Sequence, residues 1–328
     1  MSSRIDVLAV GNAIVDIFAT CDDDFLAGHG VGKGMMNLVD SAQSAALYAA
    51  IDDPREISGG SAANTAVGIV ALGGKAGFSG RIHDDELGHS FIRDIHEAGV
   101  VFGAAPQING SPTASSIILV SDDATRSMNT YLGACIEFTS DDIRPEDVAA
   151  AQIIYLEGYL FDAPAGPDIF AHAVSLAARH DVRVSLSLSD PWCAERHREA
   201  LGRFVHDHVD ILFANEDEAA SLCDSSTEAA MDTLCGQVEE AIITRGADGA
   251  FVGHQGDRHD LVARPLGPVI DSTGAGDLFA AGYLYGRTNG RDARQSGIIA
   301  SLAAGEVISH VGARPEADIA ALVRADGL

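Results

Sequence analysis

Near the end of the chain, Ile270-Asp271-Ser272-Thr273 runs into Gly274-Ala275-Gly276-Asp277, and the apolar stretch LFAAGYLYG follows. Small residues at a helix start leave successive backbone N–H groups bare, and the helix dipole adds partial positive charge there. Such a turn can hold a migrating phosphoryl group on amides, which matters in a chain whose only lysines are Lys33 and Lys75. Asp277 falls in the first turn, where the dipole favours its ionised form. An ionised carboxylate beside an anion hole can accept the proton of a substrate hydroxyl as that oxygen attacks phosphorus. A glycine-rich turn with Asp277 as a mere helix cap would carry the same letters.

Three further groups invite a chemical reading. At Gly59-Gly60, paired glycines let a ligand approach the backbone, and Asn64 offers a donor and an acceptor to a hydroxyl. Close packing at a helix entry is the alternative use of those glycines. Asp16 can take two sugar hydroxyls at once or simply cap a turn. Asn215 and Glu218 (ANEDEA) stand at i and i+3 of a helix start, so one face carries an amide and a carboxylate suited to hydrated Mg²⁺. A solvated acidic helix start would look alike.

Other patterns fail on inspection. Gly28–Met35 contains Gly-Lys, but Ala27 stands where a P-loop needs its first glycine and Gly34 replaces Ser/Thr. The segment GNAIVD after the first strand is no G-x-G-x-x-G, which removes the fingerprint of a nicotinamide dehydrogenase. No H-E-x-x-H spacing occurs among the 12 histidines, and no G-x-S-x-G elbow marks a hydrolase.

The elements that must position these residues alternate. Apolar runs at Asp6–Gly11, Lys75–Ser79, Ile153–Glu157, Arg183–Leu188, Ile211–Ala214 and Ala241–Thr244 read as buried strands. Helical patterns separate them: the small-residue stretch SAANTAVGIVALGG with its Gly-Gly stop, an amphipathic segment from about Asp84 to Ala98, the apolar stretch after Gly274 and a second apolar helix from about Asp292 to His310, with a short one at the end. The alternation predicts a mostly parallel sheet covered by helices on both faces. Residues 16–58, with IFAT and MNLVD as short strands, and 111–134, with TASSIILV and RSMNTYL around a turn at Ser121–Thr125, interrupt it. Both read as parts of a small β-sheet lid inserted in one domain spanning 1–328.

Of 328 residues, 21 are Lys or Arg and 48 Asp or Glu, a formal net charge of −27. So negative a surface repels nucleic-acid backbones and anionic membranes. A small anionic ligand needs a local pocket that reverses the sign. No apolar run approaches a membrane span, and the polar N-terminus shows no signal core, so the expectation is a cytoplasmic protein. Five scattered cysteines without a C-x-x-C pair read as reduced thiols.

Taken together, the chain resembles the ribokinase-like (PfkB) family of carbohydrate and nucleoside kinases over essentially its whole length. SGGSAANTAVGIVALGGKAGFSGRIHDDELG resembles the family's N-terminal signature, and IDSTGAGDLFAAGYLYG its C-terminal D-T-x-G-A-G-D signature, with Ser272 substituted for the Thr as the one departure. The resemblance implies a Rossmann-like α/β/α sandwich with a β lid. It assigns Asp277 as catalytic base and the amides of Gly274, Ala275 and Gly276 as anion hole. Asn12, Asp16, Gly59, Gly60, Ser61 and Asn64 would meet the acceptor's hydroxyls. Asn215, Thr244, Gly246 and Gly249 would meet the nucleotide, and Glu218 would hold Mg²⁺ through water. Asp271, Thr273 and the backbone near His310 and Gly312 would hold a monovalent cation such as K⁺. ATP would donate its γ-phosphoryl group to a primary hydroxyl.

Two segments refine the acceptor. GNAIVDI, with Asn12 four residues before Asp16, and RSMNTYLGA, with Arg126 near the phosphates, look more like adenosine kinases than sugar kinases. SLSDPWCAERHR lacks the D-x-N-x-R form of sugar kinases. The 5′-hydroxyl of adenosine or a related nucleoside is the expected acceptor, with a free sugar such as ribose or fructose as the alternative. A non-catalytic sensor would be marked by loss of the base, which Asp277 contradicts. The resemblance also allows a homodimer, because lids in the family pair between subunits in some members.

Overall fold

The computed structural model describes residues 4–123 and 125–328. Its strands are β1 (Ile5–Val10), β2 (Ile14–Cys21), β3 (Met36–Leu38), β4 (Arg55–Gly59), β5 (Ala76–Ser79), β6 (Val101–Phe102) and β7 (Ala114–Ser121), then β8 (Arg126–Tyr131), β9 (Ala151–Glu157), β10 (Arg183–Ser187), β11 (Ile211–Asn215), β12 (Glu240–Thr244), β13 (Ala250–His254) and β14 (Asp257–Leu261). Nine of them form one sheet in the order β14-β13-β12-β11-β10-β9-β1-β5-β6. From β12 to β6 every pairing is parallel, while β13 and β14 add an antiparallel hairpin at one edge.

Side chains alternate between the two faces of this sheet, so one apolar run serves two cores. Val7 and Ala9 of β1 join a core with Ala62, Ile69, Leu278 and Ile299, and Leu8 and Val10 join another with Phe170, Leu176 and Leu201. Helices therefore cover both faces, as the sequence predicts. The glycine-studded helix Ala275–Thr288 packs against Ala293–Val307, and a Cβ on Gly282 would stand 2.6 Å from the Ala300 Cα. Glycine is what lets the two backbones approach.

The two interrupting segments meet in one small sheet of five strands, ordered β3-β8-β7-β2-β4. Strand β7 pairs antiparallel with β8 and parallel with β2. The turn expected at Ser121–Thr125 includes residue 124, which lies outside the described residues. Segment 16–58 also contains two helices, Asp23–Gly28 and Ser41–Ala50, each started by an aspartate cap: Asp22 accepts from Phe25 N–H at 2.7 Å and Asp40 from Gln43 N–H at 2.8 Å. Among the described residues no helix is long and apolar enough to cross a membrane. All five cysteines are free thiols.

Strand order reverses around β1, which sits between β5 and β9. In such sheets ligands bind beyond the carboxyl ends of the strands at the reversal. Register aligns those ends: Val10 opposite Leu156, Glu157 opposite Ser187, Ser187 opposite Phe213 and Asn215 opposite Thr244.

Candidate active site

A cleft of about 330 Å³ opens at that end of the sheet. Its floor carries Gly60, Ser61, Asn64, Gly276 and Asp277; its far wall carries Asn215, Glu218 and Thr244; the small sheet contributes Ile14, Asp16, Ser116, Met128 and Thr130. A second cavity of about 470 Å³ adjoins it, lined by Gly246, Gly249, Val269, Ala275 and Ile308 among others. Thr244, Gly276 and Phe279 line both, so the two spaces meet at the start of the Ala275–Thr288 helix.

Gly274 caps that helix in the left-handed region (φ 78°), and Asp277 lies in its first turn. Ser61 Oγ donates to one Asp277 oxygen at 2.6 Å and Asn64 Nδ2 to the other at 3.0 Å, while Thr65 Oγ donates to the Asp277 carbonyl at 3.2 Å. The helix Ser61–Ala71 thus aims the carboxylate into the cleft. Burial pushes its pKa up, and the two side-chain donors oppose that. Of the three amides expected to form the anion hole, that of Ala275 closes the turn on Ser272 O at 3.2 Å, whereas those of Gly274 and Gly276 have no protein acceptor among the described residues.

Asp16 differs from Asp277 in one respect: no protein group within the described residues donates to its carboxylate. It projects from β2, between Ile57 of β4 and Ser116 of β7. Burial raises its pKa to about 7, with Arg314 opposing and the charge of Asp277 adding to the rise. Gly59 ends β4 opposite Ile14, and Gly60 turns the chain into the next helix with φ at 101°. A Cβ on Gly60 would collide with the Asn12 carbonyl, so only glycine permits this entry.

Asn12 is not among the residues lining the cleft. Its Nδ2 donates to Glu157 at 2.9 Å, and Glu157 also accepts Ala62 N–H at 2.9 Å. Glu157 is 1% exposed, and burial lifts its pKa to about 7. Asn12 is thus tied to Glu157 beneath the Ser61 helix, while its Oδ1 has no protein donor among the described residues. Glu157 escaped the sequence reading, although an acid ending the apolar run IIYLE was a visible signal. Arg314 escaped it as well. It pairs with Asp94 at 2.8 Å and with Ser58, bracing β4 against the C-terminal loop. Tyr159, 42% exposed, stands over the cleft from the turn after β9. Ser189, held at φ 65°, accepts the Gly158 N–H at 3.0 Å and fixes that turn.

Asn215 and Glu218 are a reciprocal helix cap. Asn215 Oδ1 accepts Glu218 N–H at 2.8 Å, and Glu218 accepts the Asn215 N–H at 2.9 Å and Nδ2 at 2.8 Å. Each Glu218 oxygen keeps a lone pair, and burial raises its pKa to about 7. This donor set fits a metal held through water rather than directly.

Arg126 lies outside the cleft lining, paired with Asp271 and with Thr273 Oγ at 3.2 Å. Asp271 and Gly312 come together, Oδ2 accepting the Gly312 N–H at 2.9 Å. His310 turns elsewhere, toward Glu306 at 3.3 Å and Glu316 at 4.0 Å.

Residues 31–320 match the model of the pfkB family carbohydrate kinases. An adenosine kinase from Sinorhizobium meliloti superposes with a TM-score of 0.89 at 41% identity, covering 99% of this chain and 100% of that one. A probable sugar kinase from Rhizobium etli does so at 0.90 and 40%, covering 99% of each chain. The adenosine kinase of Saccharomyces cerevisiae is 28% identical over 313 residues, 88% of this chain and 91% of that protein. A matching family model over most of the length, together with two like-folded kinases at this identity, places the chain in the pfkB family of carbohydrate kinases, phosphotransferases whose acceptor is an alcohol group.

Proposed function

We propose that the protein transfers the γ-phosphoryl group of ATP to the 5′-hydroxyl of adenosine or a related nucleoside. The observation that carries this reading is the pairing of two unlike carboxylates in one cleft. Asp277, aimed by Ser61 and Asn64 at the helix start, is the base, and Asp16, without a protein donor, waits for the ribose hydroxyls. The 470 Å³ cavity beside Gly246 and Gly249 takes the nucleotide, and its junction with the cleft at Gly276 is where donor and acceptor meet in line.

Asp277 accepts the proton of the attacking hydroxyl, and its raised pKa makes it a better base than an ordinary aspartate. The amides of Gly274 and Gly276 receive the phosphoryl oxygens as charge develops. Asn215 and Glu218 would hold Mg²⁺ through water, and the metal would offset charge on the β- and γ-oxygens. The small sheet acts as a lid that excludes water from competing as acceptor.

Ile14, Met128 and Tyr159 give the outer cleft an apolar and aromatic lining that suits a flat heterocycle. A free sugar would leave those groups without a partner. The adenosine kinases among the relatives agree with the nucleoside reading, while the sugar kinase from Rhizobium etli keeps the alternative open to test. ADP release from Mg-ATP, measured against adenosine, inosine, guanosine, cytidine, ribose and fructose, decides. Turnover with adenosine and none with free sugars is expected. Turnover confined to a sugar overturns the acceptor and leaves the phosphotransfer chemistry standing.

A further inference from the structure

The family resemblance implies a monovalent cation held by Asp271, Thr273 and the backbone near His310 and Gly312, and the Asp271 carboxylate does not fit that role. Asp271 Oδ1 accepts the Thr273 N–H at 3.1 Å and its Oγ–H at 2.7 Å. Oδ2 accepts the Gly312 N–H at 2.9 Å and Arg126 Nη1. A carboxylate offers about four lone-pair positions, and all of them are taken. A hard cation binds through free oxygen lone pairs, and this carboxylate has none left. The positive charge is already present as a guanidinium, with the Arg126 and Asp271 side chains only 19% and 7% exposed.

We propose that Arg126 is a tethered stand-in for the monovalent cation, so that phosphoryl transfer by this protein needs no free K⁺. Arg126 opens β8 of the small sheet, whereas Asp271 and Thr273 lead directly into Gly274. The charge beside the anion hole therefore arrives on the lid itself. Nη1 also donates to Thr273 Oγ at 3.2 Å, which fixes the loop, while Nη2 is buried and has no partner among the described residues. Shortening Arg126 returns a lone pair to Asp271 Oδ2 and leaves that carboxylate without a counter-charge, which are the conditions for K⁺ to bind. The catalytic half of this inference rests on the kinase reading; the binding half rests on the Asp271 geometry alone.

The test compares KCl with tetramethylammonium chloride at equal ionic strength for the wild type, Arg126→Ala and Arg126→Lys. Thermal unfolding and ADP release are the two readouts. The wild type is expected to show the same midpoint and rate in both salts. Arg126→Ala should lose about tenfold or more in rate without K⁺, the scale of a lost charge-assisted contact. K⁺ should restore much of that loss saturably and raise the midpoint by about 2–4 °C. Arg126→Lys, which keeps a compact charge, should remain slower than wild type but indifferent to K⁺. A wild type whose rate and midpoint climb saturably with K⁺ overturns the proposal, as does an Arg126→Ala protein that gains neither. Because unfolding needs no turnover, a failure of every acceptor would sink the kinase reading and still leave the cation question answered.

Discussion

One helix, Ala275–Thr288, touches two buried acidic centres that are treated in opposite ways. At its N-terminus, Asp277 shares a cleft with Asp16 and stands near Glu157, and Arg314 is the cation that opposes the rise at Asp16. Further along, Tyr283 Oη reaches Glu240 at 2.5 Å and Arg287 Nε reaches it at 2.9 Å, while Arg183 closes from the sheet at 2.7 Å. Glu240 is wholly buried, yet its pKa is lowered, because the Tyr283 hydrogen bond and two guanidinium groups outweigh desolvation. Asp16 and Glu157 are pushed to about 7. The fold can neutralise a buried carboxylate at the amino end of β12. At the carboxyl ends of the strands it supplies no such pair of guanidinium groups among the described residues, and the carboxylates there keep raised pKa values.

Breaking the proposed catalytic centre has the largest expected effect. Asp277→Asn keeps the shape and removes the base, so kcat/KM should fall by about 10²–10⁴, with ATP affinity unchanged by calorimetry. Turnover near the wild-type rate would remove Asp277 from the chemistry. The structural centre answers differently. Glu240→Ala leaves Arg183 and Arg287 without their acid and should destabilise the fold by about 3 kcal/mol in denaturant titrations, while kcat in the surviving folded protein holds. The low end of the range applies because Arg183 is one-third open to water. Next in size, Asp16→Asn should weaken acceptor binding about 10–100-fold by removing charged hydrogen bonds, with ATP binding untouched. Equal losses for both ligands would make Asp16 structural.

The smallest effect is a contrast in pH dependence. Asp16 holds its proton up to about pH 7 when folded and releases it near 3.8 when unfolded. Its stabilisation is thus complete below the unfolded value and is lost as pH rises through 7. Asp16→Asn should therefore gain on the wild type with rising pH, by at most about 1.4 kcal/mol per pH unit within that window. Glu240 has the reverse sign: its lowered folded pKa stabilises above the unfolded value of 4.5 and is lost as pH falls through the folded one. The deficit of Glu240→Gln should shrink in acid. Urea titrations across that range would show either opposite slopes or no contrast at all.

Legibility followed the same divide between local and distant causes. The apolar runs of β1, β9, β11 and β12, the GAGD helix start and the β7–β8 hairpin are local patterns, and each reads directly from its own letters. The β13–β14 hairpin is not legible because DRHDL shows no apolar alternation, though Gln255-Gly256, at φ 50° and 90°, is a turn that suits it. The Asn12–Glu157 contact is not legible, because nothing in the neighbourhood of Asn12 names an acid 145 residues away. The Arg126–Asp271 pair spans the same distance in sequence. Only the tertiary fold brings such partners together.

The most direct test of the cleft as an acceptor site is the proton released on adenosine binding near pH 7, from calorimetry in buffers of different ionisation heat. Ribose hydroxyls donating to Asp16 favour its ionised form, so the wild type should release up to about half a proton and Asp16→Asn none. No proton from the wild type, or the same count from both proteins, would contradict the assignment of Asp16 to the acceptor.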